Sequence, residues 1–396
     1  MNRALACLLC ASLIFSLCAC GEKNTLDTVS AVSQAAIKET HDDAPKNTVS
    51  EQEGIDYQQL LNKTAEQYKF EGTVIVTKDG KKLCELSAGF TDADETTPIT
   101  MDTLFCIGSV TKEFTAAAVM LLDEEGKVSV DDTLDRYFPD YVIGRDITIK
   151  DLLSMRSGIP DYVTAAIAYE SDSDEYIEGD SIEETLPPFE LYGEADIYNN
   201  KQQILDWIFN QPLNFAPSSS FEYSNSNYML LAELIEIVTG TDYHSFVKER
   251  IFTPLDMTKT GFIEEMRSDI NLAQPKSEWN EFGYPGAAYG AGDIVSCSQD
   301  IDKWLTTLRT NALLKESTFS EMSRPYSQVS NGFGYGYGFM TYIDSGVIHQ
   351  GQILTYESFA YTNKKTGINL FAVTNNPEAM FGNISDFSFK VISDIK

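Results

Sequence analysis

The sequence predicts an α+β fold: an antiparallel β-sheet formed from both chain ends, flanked by helices, with a mostly helical lobe inserted between. Three observations lead there. Strand-like runs open the folded region, strand-like runs close it, and helical periodicity fills the middle. Strands gathered at both ends, rather than alternating with helices, point to a shared antiparallel sheet and away from repeated βαβ units.

The elements follow in order. Ile55 to Tyr68 places Leu60, Leu61 and Tyr68 on one side of a helix. Gly72-Thr73-Val74-Ile75-Val76-Thr77 is a β-branched strand run, Asp79-Gly80 is a hairpin turn, and Lys82 to Ala88 is the return strand. Helical patterns cover Ser109 to Glu125, Asn227 to Thr239 and Gln299 to Leu308. Strands are predicted at Tyr335 to Ile343, Val347 to Gln352, Ser358 to Thr362 and Ile368 to Thr374. A turn falls at Asn363 to Gly367, and a last helix runs from about Ile384 to Ile395. The sheet lobe then takes about 53–108 and 311–396, and the helical lobe about 109–310. No internal repeat is visible.

The 396 residues are 43% hydrophobic and 22% charged, which suffices for one large core. The net charge of -31 sets the chain against nucleic acid, whose phosphates it would repel. Arg3 followed by the apolar run Ala4 to Leu17 reads as a removable leader, too short for a comfortable membrane span. Leu17-Cys18-Ala19-Cys20-Gly21 resembles a bacterial lipobox, with 1–20 as signal peptide and Cys20 as the lipidated residue; an ordinary secretory signal is the alternative. This implies an extracytoplasmic protein held at the cell membrane by its lipid. Residues 21–52 are polar and poor in large apolar side chains, and read as a disordered tether to a catalytic domain at 53–396. Beyond Cys20, only Cys84, Cys106 and Cys297 remain in the mature chain; one bridge is allowed, and small buried hydrophobes are the simpler reading. Glu170 to Asp196 carries eleven acidic residues and no Lys or Arg, and reads as a solvated insertion, a flap or a weak calcium site.

Gly108-Ser109-Val110-Thr111-Lys112 opens an alanine-rich apolar helix. Ser109 and Lys112, three apart, share a helix face at its N-terminus. Unpaired N–H groups there favour an oxyanion, and burial lowers a lysine pKa until it serves as a base for the serine. The Ser-x-x-Lys pattern recurs at Ser245/Lys248 and Ser393/Lys396, so context selects the first. Tyr223-Ser224-Asn225 precedes another helix. A tyrosinate there is a candidate proton carrier and the Asn amide a candidate carbonyl holder, while helix capping by Ser224 or Asn225 is the plain alternative. Tyr-x-Asn also recurs, at Tyr198/Asn200 and Tyr361/Asn363. His349-Gln350-Gly351 lies on a strand. With only His41 and His244 besides His349, a histidine-rich metal site is disfavoured, and so is a Ser-His-Asp hydrolase lacking a Gly-x-Ser-x-Gly elbow.

In this order, and with Ser154-Met155-Arg156-Ser157-Gly158-Ile159-Pro160-Asp161-Tyr162, Val238-Thr239-Gly240, Pro254-Leu255-Asp256-Met257 and Gly290 to Ser296 around them, these motifs resemble the serine β-lactamase and penicillin-binding-protein superfamily. The similarity is to its class C β-lactamase and DD-carboxypeptidase branch, over about residues 55–390. The resemblance implies Ser109 as the acylated nucleophile, Lys112 as its base and Tyr223 as proton shuttle. It implies that Asn225, His349, Gly351 and Gln352 bind substrate, with the N–H groups of Ser109 and Gln352 as oxyanion hole. It implies no cofactor and no metal. The expected substrates are small: D-alanyl wall peptides first, then esters or β-lactams hydrolysed weakly. A non-catalytic binder of wall fragments or drugs is the alternative from another class.

Departures from the pattern bear on substrate. His349 stands where a lysine is frequent, and a partly charged imidazole grips a carboxylate weakly, so efficient β-lactam hydrolysis is not expected as the main activity. Tyr356 and Glu357 are expected to narrow or recharge the pocket mouth. Ser218 and Asp256 occupy positions where glycine is common.

Overall fold

The computed structural model describes residues 55–166, 197–276, 288–330, 332–342, 346–380 and 383–395. The leader, Cys20, the tether and the acidic stretch 170–196 lie outside the described residues.

The chain enters through helix α1 (Tyr57–Tyr68), then the hairpin β1 (Gly72–Lys78) and β2 (Lys81–Ala88). Asp79 and Gly80 both take positive φ at its turn, as a tight two-residue hairpin requires. A short strand β3 (Phe105–Cys106) leads into α2 (Thr111–Glu124). The middle of the chain holds α3 (Ile149–Leu153), α4 (Ile197–Asn210), α5 (Asn225–Thr239), α6 (Tyr243–Val247), β4 (Gly261–Phe262) and α7 (Ile263–Met266). Then come β5 (Ile294–Ser296), α8 (Ser298–Thr310) and α9 (Glu316–Met322). The chain returns to the sheet with β6 (Ser327–Ser330), β7 (Phe333–Tyr335), β8 (Met340–Tyr342), β9 (Gly346–Ile353), β10 (Tyr356–Asn363) and β11 (Ile368–Thr374). It ends on α10 (Ile384–Ile395).

The main sheet has eight strands in the order β2-β1-β11-β10-β9-β8-β7-β6, and every pairing is antiparallel. The first and last strands of the domain lie side by side, where β1 pairs with β11 so that Ile75 faces Phe371 and Val74 faces Ala372. Both faces are covered, so β10 and β11 are buried along their whole length. Period-two alternation then divides their side chains between two cores. Val74, Val76, Phe359, Leu370 and Ala372 join α1 and α10 in the outer core. Ile75, Ala360, Phe371 and Val373 join the helices of the middle segment in the inner one. In the outer core Phe70 and Phe387 stack at 4.4 Å.

On the inner face α8 is tied to the sheet by buried hydroxyls and amides. Thr73 Oγ1 and Ser298 Oγ lie 2.7 Å apart, and Asn369 Nδ2 donates to Asp302 at 3.0 Å and to Thr306 at 2.9 Å. A second sheet, β3-β5-β4, joins the strand before Ser109 to the 294–296 segment.

Three sequence expectations shift. The strand drawn over Tyr335 to Ile343 is a hairpin of β7 and β8. It turns because Gly336 N donates to Phe339 O at 2.9 Å and a Cβ on Gly336 would meet Met322 O at 2.1 Å. The helix drawn from Ser109 begins as a 3₁₀ turn at Gly108–Val110, and the one drawn from Asn227 begins at Asn225. Ser218 and Asp256 hold φ of 64° and 53°, the left-handed conformation that makes glycine common at such places. The three cysteines Cys84, Cys106 and Cys297 are free and buried.

Candidate active site

Ser109 sits where two backbones touch. Gly108 takes φ 53°, and a Cβ there would come within 2.7 Å of Gln352 N. A Cβ on Gly351 would come within 1.9 Å of Ile107 O. The 107–108 turn and the 351–352 segment of β9 thus approach as only two glycines permit. Ile107 is fixed from both sides: its N–H donates to Ile294 O at 3.0 Å, and its carbonyl accepts from Ser358 Oγ at 2.7 Å. The contact puts Gln352 N against the residue preceding Ser109. It also changes the role expected of Gly351, which makes room for the chain's own Ile107 carbonyl rather than for a substrate backbone.

Lys112, one helical turn beyond Ser109, is fully buried. Its Nζ lies 2.7 Å from Asn225 Oδ1, 2.7 Å from Ala291 O and 3.0 Å from Ser109 Oγ. Burial draws its pKa down to about 7, against the opposing pull of Asp161 and Asp293. The neutral amine has two N–H groups and one lone pair. The amide and carbonyl oxygens only accept, so they take both N–H groups, and the lone pair faces the Ser109 hydroxyl. The rings of Tyr223 and Tyr228 flank the amine at 4.9 and 5.6 Å.

Tyr223-Ser224-Asn225 closes the site from the start of α5. The capping alternative fails: Ser224 is the N-cap residue, yet its side chain makes no capping bond. The capping acceptor is Asp161, whose Oδ1 takes the Asn225 N–H at 2.7 Å. Asn225 Oδ1 is thereby left to Lys112. The Tyr223 hydroxyl is buried without a hydrogen bond of ordinary geometry, though the Ser109 hydroxyl beside it partly offsets the rise in its pKa. Burial pushes that pKa well up, so the candidate proton carrier Tyr223 rests as the protonated phenol rather than as a tyrosinate.

His349 is brought to the same pocket, on the face of β9 that looks toward Ser109, where the resemblance implies that it faces a substrate carboxylate or supports Tyr223. It is buried, and its pKa is drawn down to about 3 by desolvation and by Lys112. Nδ1 donates to Gln350 O at 2.6 Å, which leaves Nε2 to accept from the Tyr335 hydroxyl at 3.4 Å. Its ring lies 6.5 Å from that of Tyr223. A neutral, internally bonded imidazole offers no charge to a substrate carboxylate. The pocket-mouth role expected of Tyr356 and Glu357 also fails. Tyr356 is fully buried with its hydroxyl on Ala273 O, and alternation turns Glu357 away from Ser358 to the opposite face.

Among the described residues, the look-alike motifs have partners of their own. Lys248 pairs with Glu265, and Tyr361 belongs to the outer core. Asn363 Oδ1 closes a turn on the N–H groups of Lys365 and Thr366. The side chains of Tyr198, Asn200 and Lys396 lie outside the described residues. His244 is structural, stacked on Phe262 at 3.8 Å and bonded to Asp293 at 2.7 Å. Sequence reading assigned no role to Asp161, Asp293, Tyr335 or the Ala291 carbonyl. Asp161 and Asp293 lie in motif segments, Ser154 to Tyr162 and Gly290 to Ser296, whereas a backbone carbonyl carries no side-chain signal.

The family model described as Beta-lactamase matches residues 57–389. Penicillin-binding protein 4* of Bacillus subtilis is 28% identical over 306 residues, covering 71% of this chain and 61% of its own length. The putative penicillin-binding protein PbpX of the same organism is 25% identical over 90% of this chain and 84% of its own. Among solved structures, the D-amino acid amidase of Ochrobactrum anthropi SV3 aligns with a TM-score of 0.66 at 27% identity. That alignment covers 86% of this chain and 98% of the amidase.

Proposed function

This chain belongs to the beta-lactamase family and is a serine hydrolase; from that premise we propose that it works through an acyl-Ser109 intermediate on D-aminoacyl substrates outside the cytoplasm. The observation that carries the reading is the Lys112 amine, buried, its pKa drawn down to about 7, and 3.0 Å from Ser109 Oγ with Asn225 Oδ1 and Ala291 O each 2.7 Å away to take its N–H groups.

Lys112 takes the Ser109 proton as Oγ attacks the substrate carbonyl carbon. The N–H groups of Ser109 and Gln352 hold the resulting oxyanion. The proton now on Lys112 reaches the leaving amine or alcohol through the Tyr223 hydroxyl, which gives up its own proton and regains one from Lys112. Water then attacks the acyl ester, the same groups return a proton to Ser109 Oγ, and the acid leaves. The Asn225 amide positions the substrate carbonyl. Cell-wall D-alanyl peptides are the first substrate class, consistent with the relatives named penicillin-binding proteins.

One observation favours the alternative of an ester or amide substrate. The neutral, internally bonded His349 supplies no cation where a free C-terminal carboxylate would need one. Cys20 is the proposed lipid attachment point, with 21–52 as the tether.

The test is intact-mass kinetics of the full chain with a D-alanyl-D-alanine peptide, a D-alanyl ester and a penicillin. Turnover of the peptide or the ester through a Ser109 adduct supports the reading and ranks the two. Rapid penicillin consumption would reverse the expectation of weak β-lactam hydrolysis. Binding without any adduct or turnover would make the protein a binder instead.

A further inference from the structure

We propose that Asp161 is a positioning residue that fixes Asn225 against Lys112 and sets the charge felt by that lysine. The proposal rests on the acyl-serine reading above and adds a residue to it.

The segment carrying Asp161 is clamped to the start of α5 along its length. Met155, fully buried, holds a φ of 58°, a conformation costly for a non-glycine residue unless its surroundings enforce it. They do. Its carbonyl accepts from Glu222 N at 3.1 Å, and its sulfur accepts from Ser224 N at 3.4 Å and Asn227 Nδ2 at 3.3 Å. Ser157 Oγ donates to Asn227 Oδ1 at 2.6 Å. Ser226 Oγ donates to Pro160 O at 2.6 Å and accepts from Tyr162 N at 3.1 Å. Tyr228 OH donates to Leu153 O at 3.0 Å. The 153–162 segment therefore tracks Glu222 to Tyr228, the stretch that presents Tyr223 and Asn225.

Within that clamp Asp161 is the one charged group that reaches the motif. Its Oδ1 takes the Asn225 N–H at 2.7 Å; its Oδ2 accepts from Thr164 N at 3.0 Å and Thr164 Oγ1 at 2.8 Å. Asn225 Oδ1 then reaches Lys112 at 2.7 Å. The carboxylate is thus one residue removed from the catalytic amine, at the positive end of α5, where a negative charge is favourable.

Lys112 meets titratable or charged groups from every side. Glu113 adjoins it in sequence, Tyr223 faces it from just before α5, and Tyr228 faces it from within α5. Asp161 comes from the clamp and Asp293 from the approach to β5, while His349 comes from β9 with Tyr335 of β7 behind it. Among these, the Asp161 and Asp293 carboxylates both favour the charged form of Lys112. Removing the Asp161 charge makes Lys112 easier to deprotonate, so a base-dependent rate should persist to lower pH.

The experiment follows the second-order rate of fluorophosphonate labelling of Ser109 against pH, in the full chain. Ser109 Oγ bonds to phosphorus, fluoride leaves, and the serine proton passes to Lys112. This readout needs no knowledge of the natural substrate. Asp161→Asn keeps an acceptor for Asn225 N but loses the charge. It should move the midpoint of the acid limb down by about 0.5–1 pH unit, with the high-pH plateau near that of the wild type. Asp161→Ala loses the acceptor as well and should lower the plateau about tenfold. A thermal melt accompanies each variant. A lowered Tm with the acid-limb midpoint unmoved in Asp161→Asn would reduce Asp161 to a purely structural cap and overturn the proposal. A wild type that labels at no pH would overturn the acyl-serine reading itself, and this one with it.

Discussion

The two faces of the sheet are built on different terms. On the outer face α1, the chain just after it and α10 press Leu61, Phe70, Phe387 and Val391 onto Val74, Phe359 and Leu370, with side chains that carry no polar atoms. Each such buried side chain contributes roughly 1.5–3 kcal/mol. The inner core, by contrast, holds Lys112, Glu113, Thr111, Asn227 and His349, all buried and all polar. Burial there costs free energy, offset only where hydrogen bonds are complete. The comparison teaches that the outer layer holds the sheet together, while the inner layer accepts less stable groups to shift their protonation. The pKa of Lys112 is drawn down to about 7, that of Glu113 is pushed up to about 8, and that of His349 is drawn down to about 3.

Substitutions on the two faces should therefore separate activity from stability. The largest effect belongs to Ser109→Ala, expected to reduce turnover by at least about 10⁴-fold while Tm stays within about 2 °C. Steady-state assays beside a thermal melt check it; comparable losses in both would erase the distinction between the faces. Next, Phe387→Ala removes one ring of the Phe70 stack and should destabilise by about 3–5 kcal/mol in urea unfolding. Activity per folded molecule should hold, and a fall in it would show that the outer core reaches the chemistry.

The smallest effect sharpens the comparison through pH. Glu113 is buried with its carboxyl on Trp304 Nε1 at 2.7 Å. Its folded pKa of about 8 lies above the unfolded value of 4.5. Stability from the bound proton is complete below 4.5 and is lost as pH rises through 8. Glu113→Gln keeps the acceptor for Trp304 and removes that dependence. Its Tm should match the wild type at pH 4 and exceed it by a few degrees at pH 8. Parallel melting curves across that range would mean that Glu113 is ionised in the folded protein.

The parts of this arrangement legible in the sequence are those fixed locally. Gly108-Ser109-x-x-Lys112 announced itself by a glycine before an apolar helix, and the strands by β-branched runs and the Asp79-Gly80 turn. Glycine-like backbone at Ser218 and Asp256 was also traceable, as departures from an expected residue. What was not legible depends on distant partners. The charge of His349 is decided by burial, and the position of its ring by Gln350 and by Tyr335 on another strand. The resting state of Tyr223 depends on the same enclosure. The Ala291 carbonyl that holds Lys112 has no side chain to announce it, and Asp161 acts on Asn225 across a loop contact.

The central claim is that Lys112 is a free base when Ser109 reacts. It is tested most directly by labelling the lysine side chains with ¹³C and following Lys112, assigned by its absence in Lys112→Arg, through an NMR pH titration of the folded protein. A midpoint near 7 is expected. A midpoint near the ordinary lysine value of about 10.4 would contradict it, leaving Lys112 a charged anchor and Ser109 without its base.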